Sequence, residues 1–152
     1  VPLKARSYLG ATLVASEDLT GAETLFLDLL ERLETRFGTT HRETMAAVAW
    51  LSEVYRRLDR DAEARPYAAR AAEYHAKYSP PASPRRRNAA RIYAALLHRL
   101  GEHADAVAWQ QRVVTAWQAA AGPDDSRTRD AEDRLAEYEA DARAAAKKSP
   151  EA

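Results

Sequence analysis

The chain has 152 residues, with 23 basic and 23 acidic side chains and no cysteine. A net charge of zero argues against a general attraction to nucleic acid or to an anionic membrane, and the lack of cysteine excludes disulfides, thiolate metal sites and a cysteine nucleophile. No apolar run is long enough to span a bilayer and the first residues do not form a secretory leader, so the cytoplasm is the expected compartment. Because the sequence opens without Met and almost directly inside a helical pattern, we expect it to be part of a longer protein.

The first predicted hairpin covers about residues 3–36, where apolar side chains recur at helical spacing in two segments. Gly38 can take the left-handed conformation that ends a helix. Thr40 followed by Glu43 has the spacing of a capping box. A second helical hairpin is therefore predicted to begin near residue 43.

The second predicted hairpin covers about residues 43–78 and ends at a proline-rich segment. Ser83 followed by Pro84 is typical of an N-cap with proline at the first helical position, so a third hairpin is predicted over about residues 84–121. Trp109 and Trp117 lie on the second helix of that hairpin, and we interpret both as core residues that face the neighbouring unit or the last helix.

The last predicted helix, about residues 126–147, carries a narrow apolar stripe among dense charges. One apolar stripe and a polar outer face are typical of a helix that caps the open end of a repeat array. The predicted repeat domain therefore covers residues 1–147, and residues 148–152 are predicted to be a disordered tail.

A fixed period of 42 residues relates these segments. Glu63 to Tyr67 aligns with Asp105 to Trp109, and Val54 to Leu58 aligns with Leu96 to Leu100. Such a unit is too small to bury its own apolar face, so the period predicts a solenoid of stacked helical hairpins.

These residues resemble the tetratricopeptide repeat, in the 42-residue variety of kinesin light chains and of many bacterial regulatory proteins. The resemblance is carried by Val54-Tyr55, by Leu100-Gly101-Glu102-His103 and by the connector Ala121-Gly122-Pro123-Asp124. It implies an all-α fold, a right-handed α-solenoid of three hairpins plus a C-terminal capping helix, and it favours a bacterial source. Repeat one departs from the pattern, with Ser16 and Glu17 where leucine and glycine would stand.

The resemblance also implies a concave groove lined by the first helix of each hairpin. We expect the groove residues that contact a partner to be Tyr8, Trp50, Glu53, Arg56, Asn88, Arg91, His98 and Arg99. Arginine could bind a carboxylate through two parallel hydrogen bonds, and the aromatic side chains could supply flat apolar contacts. A solvated charged face, in which the arginines pair with carboxylates such as Glu53, is the alternative interpretation.

No catalytic, metal or cofactor site is predicted. The four histidines have no partner at zinc-ligand spacing on one helix face, and no serine or threonine has the context of an activated nucleophile. Asp130, Asp133 and Glu137 lie on one helix face, as charges commonly do on a solvated capping helix.

Arg85-Arg86-Arg87 is the compact basic run of the sequence. The rest of the chain gives no charge support to nucleic-acid binding there, and a docking patch for an acidic partner is the alternative. We predict a non-catalytic protein-interaction module that holds a peptide or partner segment with an acidic or aromatic anchor, as a scaffold or as the sensing part of a larger regulator. The alternatives are self-association through an open first repeat, or a non-catalytic domain of a multidomain enzyme or transcription regulator.

Overall fold

The computed structural model describes residues 2–148, and the regular elements in that range are all α-helices. Their bounds are α1 Leu3–Ala15, α2 Leu19–Phe37, α3 Arg42–Arg57, α4 Asp61–Tyr78, α5 Pro84–Arg99, α6 His103–Ala121 and α7 Ser126–Lys148. The predicted all-α fold is confirmed. Helix α7 includes Lys148, which the sequence had placed in a disordered tail. The remainder of that predicted tail, residues 149–152, lies outside the described residues.

The helices form two compact units, with the division after Tyr74 inside α4. Unit 1 extends to Tyr74 and unit 2 begins at His75.

Unit 1 is held together by apolar side chains of α2 and α3. Phe26, Leu29 and Leu51 are fully buried. Helix α1 approaches α2 closely at Gly10. The contact requires glycine, because a Cβ at that position would overlap the ring of Phe26. Burial of each such side chain contributes about 1.5–3 kcal/mol, so this core accounts for the closure of the first hairpin on α3.

Unit 2 has its own core. Leu96 and Leu97 of α5 are fully buried, and a second cluster joins three helices through Ala90 of α5, Val113 and Val114 of α6 and Ala131 of α7. Two stripe residues of α7, Ala131 and Tyr138, are buried, so this helix covers α6 with the apolar face that the sequence predicted.

The same turn joins the two helices of every hairpin. Glu17, Asp59 and Gly101 have φ values of 64°, 55° and 78°, and they are spaced at the 42-residue period. The residue after each donates its backbone N–H to the carbonyl oxygen five residues earlier, at 2.9 Å in each case. The three acceptors are Leu13, Tyr55 and Leu97. Glu17 therefore adopts the turn that glycine adopts in the third hairpin, although the first repeat lacks that glycine.

The connectors between hairpins repeat only in part. The hydroxyl of Thr44 donates to the carbonyl of Gly38 at 2.9 Å, and that of Thr128 donates to Gly122 at 2.7 Å. Arg86 stands at the corresponding position of the middle connector and donates a longer-range hydrogen bond to the Ser79 carbonyl at 3.0 Å. A guanidinium thus replaces a threonine hydroxyl in closing this connector.

The N-cap residue of α5 is the predicted one, whereas the N-cap residue of α3 differs from the prediction. Ser83 is the N-cap of α5 and Pro84 its first residue, as predicted. The N-cap of α3 is His41, whose Nδ1 accepts the backbone N–H of Glu43 at 3.2 Å, so the predicted Thr40 capping box is wrong. An imidazole nitrogen one residue later satisfies a donor of the first turn instead.

Candidate functional site

The predicted groove residues of unit 1 lie on α1 and α3. Tyr8 on α1 is 77% exposed. Trp50 on α3 is half-buried, because its ring stacks on Phe26 with centroids 5.7 Å apart and planes at 9°. Trp50 therefore takes part in the packing of unit 1 and offers a partner only its remaining edge.

Glu53 and Arg56 form a local ion pair on α3. Arg56 donates to both carboxylate oxygens of Glu53, at 2.9 and 2.8 Å, and Arg57 donates to one of them at 2.6 Å. Partial burial raises the pKa of Glu53, but the hydrogen bonds and charges of Arg56 and Arg57 outweigh it and lower the pKa below its usual value. These contacts correspond to the solvated, paired face that the sequence left open.

In unit 2, Asn88 and Arg91 line a cavity of about 380 Å³. The other lining residues come from the start of α5 and from α6: Pro84, Arg85, Arg87 and Trp117. Arg91 donates from Nη2 to Asn88 Oδ1 at 2.7 Å, so the two predicted residues hold each other in place.

Trp117 forms the apolar wall of this cavity. The guanidinium of Arg87 lies over its ring, 4.0 Å from the centroid, and that of Arg127 is 4.7 Å from it. The prediction that Trp117 is a core residue is only partly right, because the side chain packs against the apolar cluster of unit 2 but keeps an exposed part. Cation–π contacts of this kind hold guanidinium groups at fixed positions.

A second cavity, of about 270 Å³, adjoins the first and shares Arg91 and Trp117 with it. Helices α5, α6 and α7 all contribute lining residues: Arg91, Ala95, Gln110, Val113, Trp117, Arg127, Asp130, Ala131, Arg134 and Tyr138. We call the surface formed by the two cavities the α5–α7 face. Three guanidinium groups and one carboxylate line the second cavity, so its electrostatic character is basic.

Gln110 is the buried polar residue of this face, with 2% of its surface exposed. Its Nε2 donates to the Ala131 carbonyl at 3.0 Å. Its Oε1 has no hydrogen-bond donor among residues 2–148. A buried acceptor without a donor carries a desolvation penalty, which a donor from a bound molecule would remove.

His98 and Arg99 lie further along α5. The His98 ring stacks on Tyr138 of α7 at 4.3 Å, and its Nε2 is 2.7 Å from Asp141 Oδ2. Burial raises the pKa of Tyr138. His98 thus fastens α7 to α5 and lies outside the lining of both cavities, and Arg99 is exposed on α5. Of the predicted residues in unit 2, the structure brings Asn88 and Arg91 to the α5–α7 face.

The predicted groove did not include Arg87, Gln110 or Arg127, although the sequence had offered Arg87 as part of a separate docking patch for an acidic partner. One signal was available for Gln110, since it stands 42 residues after Ala68, an alanine that is buried in unit 1. A polar residue at an apolar register position is a reason to suspect a site. Arg127 reaches the face through the fold of α7 against α6, which local spacing does not encode.

The described residues contain no group of three or more histidine, aspartate or glutamate side chains arranged to hold a metal ion. No helix between residues 2 and 148 is both long and apolar enough to cross a membrane.

The sequence profile of the Tetratricopeptide repeat family matches residues 3–43 and 94–127. No curated protein matches the chain in sequence.

Solved structures extend the likeness to most of the chain. The crystal structure of a kinesin light chain with nearly identical TPR-like repeats, described as putative, from Podosopora anserina has a TM-score of 0.73 and 16% sequence identity, and a point variant of it has a TM-score of 0.74 at the same identity. BtubC (BKLC) from P. vanneervenii has a TM-score of 0.67 and 17% identity. The match covers 90% of this chain for the first two and 89% for BtubC, but the chain spans only 64% of each Podosopora structure and 53% of BtubC.

Tetratricopeptide repeats generally serve as protein-interaction modules, and this fold is typically non-catalytic. The repeating turns, the hairpins and the profile match agree with one another. The chain therefore contains tetratricopeptide repeats over the matched residues, and its fold resembles the repeats of kinesin light chains.

Proposed function

We propose that the chain recognises an extended segment of a partner protein and that the α5–α7 face holds the anchor residue of that segment. One observation carries the proposal, namely two adjoining cavities that share an exposed arginine, Arg91, and a half-buried tryptophan, Trp117. Concave surfaces with an apolar wall and a few convergent polar groups are where proteins bind ligands.

Charge favours an acidic anchor. Arg91, Arg127 and Arg134 line the second cavity together with one carboxylate, Asp130. A guanidinium presents a planar fork of donors that fits a carboxylate in two hydrogen bonds. An acidic side chain of the partner would therefore find matching donors in this cavity.

Trp117 favours an apolar or aromatic residue beside the acidic one. Its exposed part lies in both cavities, and Arg87 and Arg127 fix the orientation of the ring. Rigid aromatic side chains in partly desolvated positions contribute most to binding energy at protein interfaces. Outside the α5–α7 face, we also propose partner contacts at Tyr8, Trp50, Glu53 and Arg56 of unit 1, and at His98 and Arg99 of unit 2.

The test uses peptides selected against the intact protein from a random-peptide display library. We expect the selected peptides to be enriched in acidic and aromatic residues and to bind with micromolar affinity, about −8 kcal/mol, because a flexible segment loses conformational freedom on binding. Raising the salt concentration should weaken the complex, since part of the attraction acts between exposed charges.

The variant that tests the site combines Arg91→Glu and Arg134→Glu. Both side chains are exposed and line the second cavity, so the fold should tolerate the change while affinity falls by tenfold or more, about 1.4 kcal/mol. Arg143→Glu is the matched control, as an exposed arginine of α7 away from both cavity linings. Equal affinities in calorimetric titration of the double variant and the control would refute the proposed site.

Self-association is the second candidate. Neighbouring apolar residues on α1, Tyr8 and Leu9, are 77% and 51% exposed, which favours a contact with another chain through the first repeat. Analytical ultracentrifugation of the protein and of a Tyr8→Ser, Leu9→Ser variant decides the matter. A wild-type protein that stays monomeric up to high concentration would exclude this candidate.

A further inference from the structure

The first turn of α5 concentrates positive charge. Arg85, Arg86 and Arg87 follow Pro84 directly, no acidic residue lies in that turn, and the side chain of the N-cap Ser83 makes no capping hydrogen bond. The backbone N–H groups at a helix N-terminus also carry partial positive charge, so cations there are unfavourable unless an anion is present.

Three of the nearby guanidinium groups have no carboxylate partner. Among residues 2–148, no aspartate or glutamate forms an ion pair with Arg85, Arg87 or Arg91, and all three line the first cavity. Arg127, close by, differs because Asp125 accepts two hydrogen bonds from it at 2.9 and 3.1 Å. The positive charge of the first cavity is therefore not neutralised by the described part of the chain.

Two of these guanidinium groups are already held in place. Arg87 donates from Nη1 to the Ala82 carbonyl at 3.1 Å and lies on the Trp117 ring, and Arg91 donates to Asn88. Each guanidinium has five N–H donors, so both retain donors for a ligand. A ligand would gain these hydrogen bonds at a small entropic cost, since the groups are ordered beforehand.

Gln110 gives an independent indication of a ligand. It lines the adjoining cavity, is buried, and has an Oε1 atom without a donor among the described residues. A molecule that spans both cavities would therefore place an anion in the first cavity, and a shift of the buried Gln110 side chain would let Oε1 accept an N–H group of that molecule in the second. A peptide with an anionic side chain has both features.

We propose that the first cavity binds a phosphate monoester, carried by a phosphorylated serine or threonine of the partner segment, with Arg85, Arg87 and Arg91 as its ligands. The inference rests on the proposed function and adds the chemistry of the anchor. A phosphate monoester brings up to two negative charges and three acceptor oxygens, which matches three unpaired guanidinium groups better than the single charge of a carboxylate. A cavity of about 380 Å³ has room for the tetrahedral group beside Trp117.

The first experiment tests the site without any peptide partner. N-acetyl-phosphoserine amide and N-acetyl-aspartate amide are titrated at constant ionic strength, and the backbone amides of Arg85 to Arg87 and the indole N–H of Trp117 are followed by ¹H–¹⁵N NMR. We expect the phosphoserine probe to bind at least about tenfold more tightly, the equivalent of one further charge-assisted hydrogen bond. Equal affinities for the two probes would overturn the proposal.

Substitutions locate the phosphate. Arg85→Ala together with Arg91→Ala should weaken the phosphoserine probe by at least about tenfold, whereas Arg143→Ala should leave it unchanged. Arg91→Lys keeps the charge but loses the fork, so an intermediate loss is expected. Circular dichroism checks that each variant is folded. Unchanged binding of the phosphoserine probe by the folded double variant would show that Arg85 and Arg91 do not bind the phosphate.

A second experiment separates this inference from the proposed function. Library-selected peptides are compared with the anchor residue as phosphoserine, serine and aspartate, and polyuridylic acid is added as a competitor. Peptides that bind the α5–α7 face equally well in all three forms would leave the function standing and overturn the phosphate site. Tight binding of the phosphoserine amide without any peptide binding would do the reverse. Displacement of the phosphopeptide by low concentrations of polyuridylic acid would assign the cavity to nucleic acid and reject the phosphopeptide.

Discussion

The two units differ in how they use arginine. In unit 1, arginines bridge helices to carboxylates: Arg6 to Asp28, Arg60 to Glu23 at 2.8 Å, and Arg70 to Glu34 at 2.6 Å. In unit 2, Arg87 and Arg127 lie on Trp117, and Arg112 lies on Trp109. A ring orients a guanidinium without neutralising it, so Arg87 and Arg112 keep donors that the three arginines of unit 1 use in ion pairs. The contrast is one of degree, because Arg127 also pairs with Asp125 and Arg60 also lies over Tyr55.

Substitutions within one repeat plan accompany this difference. Ala68 of unit 1 is replaced by Gln110 one period later, and Tyr67 by Trp109. Tyr67 stacks on Tyr55 at 5.6 Å, while Trp109 meets Tyr93 edge to face at 5.2 Å. The hairpins share their turns, so binding specificity can differ between repeats without a change in the fold.

Core truncation should produce the largest effect and shows whether the two units are equally well packed. Leu51→Ala in unit 1 and Leu97→Ala in unit 2 each remove a fully buried side chain, and each should lower the free energy of unfolding by about 2–5 kcal/mol. Urea denaturation provides the measurement. A large loss at one position only would show that a single unit carries most of the stability.

The connector threonines come next. Thr44→Val and Thr128→Val remove a buried hydroxyl that donates to a glycine carbonyl, so each should cost about 1–2 kcal/mol. Thr35→Val is the control, because its exposed hydroxyl bonds to Glu31 within one helix and should matter by less than about 0.5 kcal/mol. Unequal costs for Thr44 and Thr128 would mean that the two connectors are not equivalent.

Glycine substitutions in the hairpin turns should raise the stability of the protein. Glu17→Gly and Asp59→Gly place glycine where φ is positive, which should relieve backbone strain and stabilise the protein by about 0.5–1 kcal/mol each. Gly101→Ala should destabilise the equivalent turn of unit 2 by about 1 kcal/mol. Thermal unfolding of the three variants gives the comparison. Stabilisation by the alanine would contradict the shared turn geometry.

The smallest effect concerns acid stability. Because the pKa of Glu53 is lowered in the folded state, its carboxylate stabilises the fold above its unfolded pKa of about 4.5, and that contribution is lost as the pH falls further. Glu53→Gln should flatten this part of the stability profile, by less than about 1 kcal/mol for a partly exposed pair. Asp133→Asn, an exposed change on α7, is the control. Identical acid profiles for Glu53→Gln and the wild-type protein would exclude this role of Glu53.

Sequence reasoning found the helices because their signals are local. Gly38, Ser83-Pro84 and Gly122 mark helix ends through backbone chemistry that does not depend on distant residues. The helix α3 was predicted, but its N-cap was not: His41 takes the place of the predicted Thr40. Both side chains can accept a backbone N–H of the first turn, so the local sequence does not choose between them.

The candidate site was only half predictable. The resemblance to the tetratricopeptide repeat placed Asn88 and Arg91 on the groove side of the first helix of a hairpin, and both line the first cavity. Trp117, Gln110 and Arg127 join them only after α6 and α7 fold together, and such long-range contacts leave no short-range pattern.

The turn shared by Glu17, Asp59 and Gly101 also bears on how such chains change in length. Deleting residues 18–59 would join Glu17, which already has positive φ, to Arg60, whose N–H bonds across the equivalent turn. Removing or duplicating one whole period at this joint therefore leaves the local backbone geometry intact. Recombination between repeats can in this way add or remove a hairpin while the turn at the junction keeps its backbone conformation.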